Sequence, residues 1–188
     1  MRLLLALGIL GGVTWIAYAF IPEQCAPVTG DSELFCNRLW TPALFAMTVG
    51  FAGLVRWVAT LGSPRITRWL SVTVLGAAFM TFGNFAEYWL FFGWPHDGPD
   101  GWLRSSLWMT VLVGWLALLL ASFGAGLYLL LGGRNGIRVL VLGAILVTAP
   151  CLSVFIGPLA IGVLAIAAST YALVALARAP REPATEPA

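Results

Sequence analysis

Long apolar stretches separated by short, arginine-bearing loops constrain this chain more than any other feature. A bilayer core roughly 30 Å thick needs about 20 apolar residues per helix. Leu3–Ile21, Pro42–Leu61, Trp69–Phe92 and Leu107–Leu131 are windows of that kind. A fifth apolar run, Val139 to Ala177, carries no charge and as one helix would measure about 58 Å at about 1.5 Å per residue. Gly157-Pro158 lies near its midpoint, where proline cannot continue the hydrogen-bond ladder and glycine readily turns. The run therefore divides into Val139–Ile156 and Pro158–Ala177. The expected fold is all-α: a compact polytopic bundle of six transmembrane helices within residues 1–178, with five spans as the alternative. With 60% apolar and 10% charged residues, against about 25% charged in globular domains, a soluble domain is excluded.

The arginines select six spans. Short cytoplasmic loops carry an excess of Lys and Arg, and this chain has ten arginines and no lysine. With both termini inside, Arg2, Arg65, Arg68, Arg134, Arg138, Arg178 and Arg181 fall on the cytoplasmic side, leaving Arg38 and Arg104 in the outer loops 23–40 and 93–104. Five spans would place Arg178 and Arg181 outside. The expected location is the cell membrane, and the net charge of +2 records insertion, with no nucleic-acid partner implied. A cleaved signal peptide ending at Ala17-Tyr18-Ala19 is the rival reading of the first span. Its apolar run is longer than the usual 7–15 residues of such peptides, and Gly8 and Gly12 offer a helix-packing face. The segment 179–188 holds three prolines and is expected to be a disordered cytoplasmic tail.

Cys25 and Cys36 share the first outer loop, and disulfides persist outside the cytosol. A Cys25–Cys36 bridge is expected, contributing about 3 kcal/mol by chain-entropy reasoning. Cys151 is placed within the bilayer. Thr41-Pro42 is expected to open the second span, with a capping hydroxyl and a proline at the first helical position. Pro150 should kink the fifth, with Thr148 and Ser153 near the freed backbone groups.

Membrane helices pack through small residues. Ala43, Ala46, Gly50 and Gly53 line one face of the second span. Ala117, Ala121 and Ala125 do so in the fourth, and Ala165, Ala168, Ala172 and Ala175 in the sixth. Trp40, Trp89, Trp94, Trp102 and Trp108 gather at the outer boundary, while Trp57 and Trp69 flank the inner loop. Interfacial anchoring is the ordinary role of such rings; an aromatic-lined site at the outer face is the functional alternative.

Apart from tyrosines and Cys151, only Arg56 and Glu87 are ionisable within the spans, and intramembrane charge marks candidate sites. Arg56 lies about 7.5 Å from the inner end of its helix, within reach of snorkelling, so it reads as a membrane anchor. Glu87 lies about 27 Å above the inner end of the third span, near the outer surface. It shares a helix face with Gly76, Met80, Gly83, Asn84 and Phe91. Arg104, Arg38, His96 or Tyr88 are its candidate partners, and a Glu87–Arg104 clasp between the third and fourth spans is the structural reading. A ligand, ion or proton site built on Asn84, Glu87, Tyr88 and Arg104 is the functional one.

A single histidine, His96, excludes bis-histidine haem and a conventional zinc protease site. It could hold a cation only weakly, with Asp97 and Asp100. The absence of lysine excludes a retinal Schiff base and a P-loop. The sequence thus suggests no enzyme, no cofactor and no metal. It suggests an accessory, assembly or interaction subunit of a larger membrane complex, with the bilayer and other subunits or self-association as partners. The alternative is a small transporter, channel or sensor with its polar site at Asn84 and Glu87.

Overall fold

A computed structural model describes residues 1–20, 30–91, 101–132 and 137–178. All regular structure among them is helical: α1 (Arg2–Ala19), α2 (Gly30–Thr60), α3 (Pro64–Phe85), a π turn at Ala86–Leu90, α4 (Gly101–Leu131), α5 (Ile137–Ile156) and α6 (Leu159–Ala177). Five segments are long and apolar enough to cross a membrane, namely Asn37–Thr60, Pro64–Leu90, Ser105–Leu131, Val139–Ile156 and Leu159–Ala177, and Arg2–Tyr18 is a shorter apolar helix. That composition marks a membrane protein. The outward faces agree, because Leu75, Phe79, Leu116, Leu120, Val154 and Phe155 are exposed, far more apolar surface than a soluble domain presents.

Each helix packs against the next, and α6 returns to pack on α1 and α2, closing the bundle. One end carries Met1, the α2–α3 turn and the end of α6, with Arg2, Arg65, Arg68 and Arg178. The other carries the π turn, the α5–α6 turn and most of the tryptophans. These are called the arginine end and the tryptophan end.

Small residues set the spacing of the helices, as their pattern predicts. Gly8 meets Gly50 between α1 and α2, Gly12 meets Gly162 between α1 and α6, Gly76 meets Gly114 between α3 and α4, and Gly126 meets Gly143 between α4 and α5. A Cβ on Gly76 would stand 2.6 Å from the Gly114 carbonyl oxygen and 2.7 Å from the Leu118 amide nitrogen. Backbone lies against backbone here, so no side chain is free to yield. Ala43, Ala121, Ala125, Ala165, Ala168 and Ala172 are all buried. Between α2 and α3 hydroxyls supplement this contact: Thr48 and Thr81 are 3.0 Å apart.

The helix boundaries correct the sequence reading at three places, the first being α4, which begins at Gly101, inside the outer loop expected over 93–104. The structure extends α2 back to Gly30, so Pro42 lies inside the helix, and Thr41 uses its hydroxyl on α3 instead of capping. Proline in a membrane helix loses one backbone bond that neighbouring helices and hydroxyls offset. The α-helical part of α3 ends at Phe85 and gives way to the π turn, closed by the Phe91 N–H donating to the Ala86 carbonyl at 3.0 Å. The long apolar run divides at Gly157, as expected, and α3 begins ahead of the expected Trp69. Gly62, with φ of 74°, makes the α2–α3 turn, Pro64 opens α3, and Gly157, with φ of 56°, makes the α5–α6 turn. Helix α5 runs through Pro150, whose carbonyl accepts the Ser153 hydroxyl at 2.6 Å. Cys25 and segment 179–188 lie outside the described residues, as do the side chains of Cys36 and Arg104.

Candidate functional site

The π turn falls on the residues singled out as polar. Met80, Gly83, Asn84 and Glu87 are buried, so the predicted face of α3 does look into the bundle. Glu87 is only 2% exposed, so its carboxylate is enclosed by the bundle near the tryptophan end. Two features account for this. The i→i+5 turn widens the helix at Ala86–Leu90, and α2, longer than expected, covers the site from Asn37 onward. Glu87 engages a polar or electrostatic partner, as befits a buried ionisable group.

Arg38, on the extended part of α2, holds the π turn in place. Its Nε donates to the Tyr88 carbonyl at 2.8 Å, satisfying one of the carbonyls a helix end leaves open. Its guanidinium also lies 5.1 Å from the Trp89 ring centroid, a cation–π distance, and Trp89 stacks on Phe85 at 6.3 Å. One turn further along α2, the Thr41 hydroxyl donates to Asn84 Oδ1 at 2.6 Å. Because that acceptor is engaged, what Asn84 chiefly has left to offer is its donor nitrogen.

These residues border a cavity of about 290 Å³ at the tryptophan end. Met80 and Asn84 come from α3, Glu87 and Tyr88 from the π turn, Asn37, Trp40 and Leu44 from α2, and Trp108, Val111, Leu112 and Trp115 from α4. Trp15 of α1 and Pro158 complete the wall. The Trp15 indole donates to the Pro158 carbonyl at 3.0 Å and lies 4.9 Å from the Trp40 ring, fixing both rings. Trp115 differs: its Nε1 is a buried donor with no hydrogen-bond partner among the described residues.

Of the residues the sequence nominated, Asn84, Glu87 and Tyr88 meet here. Arg104 cannot be placed, since its side chain lies outside the described residues, and so do His96, Asp97 and Asp100. Arg56 stands exposed on α2 toward the arginine end, away from this site. Trp40 and Trp108, first read as interface anchors, line the cavity. Trp15, Asn37 and Trp115 were not foreseen. For Trp115 the one sequence signal is the step Trp108–Leu112–Trp115, which sets three bulky residues on one face of α4.

A second cavity of about 660 Å³ lies at the arginine end, bordered by Trp57, Ile66, Tyr128, Ile137 and Leu142 among others. Trp115 and Tyr128, on opposite cavities, are about 20 Å apart along α4 at 1.5 Å per residue. Buried Met47, Phe51, Leu54, Leu118 and Leu146 pack in that interval, joined by the Thr73 and Ser122 hydroxyls, 3.4 Å apart. No group of three or more His, Cys, Asp or Glu able to hold a metal occurs among the described residues. Comparison with protein families, curated proteins and solved structures finds no match for this chain.

Proposed function

We propose that this protein is a small multi-pass membrane protein that binds a ligand in the tryptophan-lined cavity and acts as a sensor or carrier, without catalytic chemistry of its own. The observation that carries the reading is the cavity wall itself. Apolar and aromatic surface with a few convergent polar groups is the usual make-up of a ligand site, and here Asn84 at the end of α3 and Glu87 in the π turn supply those groups. The close-packed interval of about 20 Å between the cavities favours binding and sensing over an open channel.

Six spans with both termini in the cytoplasm, as the arginines favour, direct the cavity to the outer side of the cell membrane. Cys25 and Cys36 then lie in an oxidising compartment, where a disulfide between them would close the connection from α1 to α2. An accessory-subunit role finds no observation to favour it, because a lipid-facing surface and a partner-facing surface of such helices are equally apolar.

Native mass spectrometry of the protein released from lipid nanodiscs tests the reading. The wild type should retain a small-molecule adduct that Leu112→Trp, which fills the cavity, does not. Wild-type protein free of any adduct, or the same adduct on both proteins, would contradict it.

A further inference from the structure

Two exposed arginines frame a groove at the arginine end, on the outer side of the seam between α3 and α4. Arg65 and Arg68, one turn apart near the start of α3, border about 380 Å³ of space with Trp69, Val72 and, from α4, Tyr128. Neither guanidinium has an ion-pair or hydrogen-bond partner among the described residues. Nor does a described carboxylate stand at that end, because Glu87 and, at the start of α2, Asp31 and Glu33 all belong to the tryptophan end. The lack of a side chain at Gly124 seats the Trp69 ring against α4, where an added Cβ would stand 3.1 Å from Cζ3 of that ring. A guanidinium meets phosphate oxygens with paired N–H donors, and a tyrosine hydroxyl adds another donor.

Toward the middle of the bundle the seam becomes apolar. Val72, Leu75 and Phe79 extend the arginine stripe at three- and four-residue steps, and all three are exposed. Phe79 also shares an outward groove with Met109 and Val113 of α4. From Arg68 to Phe79 is roughly 17 Å at about 1.5 Å per residue, close to half of a roughly 30 Å hydrocarbon core. Charged donors at the end of an apolar track one leaflet deep match the outline of a phospholipid with an anionic head. We propose that this seam binds an anionic phospholipid, its phosphate held by Arg65 and Arg68 beside Trp69 and Tyr128, and an acyl chain lying along Val72, Leu75 and Phe79. Basic pockets between membrane helices hold such head groups. The site is separate from the tryptophan-lined cavity and does not rest on it.

The test is a native mass spectrometric titration of the full chain, delipidated in mild detergent, with dioleoylphosphatidylglycerol and, separately, dioleoylphosphatidylcholine. The two lipids share their chains and differ in head-group charge, and their known masses distinguish them from any occupant of the cavity. The wild type should bind one phosphatidylglycerol about tenfold more tightly than phosphatidylcholine. Arg65→Gln combined with Arg68→Gln should abolish that preference. Arg2→Gln combined with Arg178→Gln, which removes the same charge from the same end outside the groove, should retain it. Equal affinity of the wild type for the two lipids, a preference that survives loss of Arg65 and Arg68, or a preference lost alike in both double variants would overturn the proposal. Glycerophosphoglycerol, the same head group without chains, should leave the bound lipid in place at equal concentration. Its displacement of the lipid would assign the groove to a soluble anion and overturn the proposal as well.

Discussion

The hydrogen bond from Thr41 to Asn84 shows how single polar side chains act in this bundle. It joins α2 to α3 at 2.6 Å and fixes which way the Asn84 amide faces the cavity. Interhelical bonds of this kind contribute about 0.6 kcal/mol on average and up to about 1.7 kcal/mol within membranes. Thr41→Val should accordingly lower unfolding free energy by about 1 kcal/mol, measured by denaturation of the protein in detergent micelles. It should also weaken ligand retention, because the amide is freed to rotate. From sequence, Thr41 reads as a helix cap because proline follows it. Only the packing of α2 against α3 reveals its partner. Glu87 was legible as a candidate because a charge in an apolar span stands out, but its burial depends on Arg38, the π turn and the length of α2 together. Trp115, one more apolar residue among leucines, gave no local sign of its isolated indole N–H.

At the scale of whole helices, glycine pairs decide the spacing. Gly76→Ala would place a methyl group against the Gly114 carbonyl and the Leu118 amide, and overpacking of this sort costs about 1–3 kcal/mol. The expected result is a loss in that range, against a change within about 0.5 kcal/mol for Leu75→Ala on the exposed side of the same helix. Equal effects would show that α3 and α4 are not in this register. Helix number, the Gly157-Pro158 division and the small-residue faces were readable because hydropathy and small-residue spacing are local properties. The π turn was not. Asn84 to Leu90 contains no glycine or proline, and an i→i+5 closure is a response to tertiary contacts, here Arg38 capping the Tyr88 carbonyl.

For the molecule as a whole, the arginine distribution makes a prediction about sidedness that accessibility can check. In a variant with its three cysteines replaced, Ser63→Cys at the arginine end should react with a membrane-impermeant maleimide only after the cells are permeabilised. Ser105→Cys at the tryptophan end should react in intact cells. The reverse pattern would turn the protein over and place the cavity in the cytoplasm. Sequence could supply this orientation but not the cavity, which arises where residues from α1, α2, α3, α4 and the α5–α6 turn converge. On the proposed function, this space exists to be filled. A cryo-electron microscopy map of the full chain in native lipid nanodiscs tests it most directly. It should show non-protein density in the cavity between Asn84 and Trp115. A cavity closed by side chains, with no such density, would contradict the proposed function.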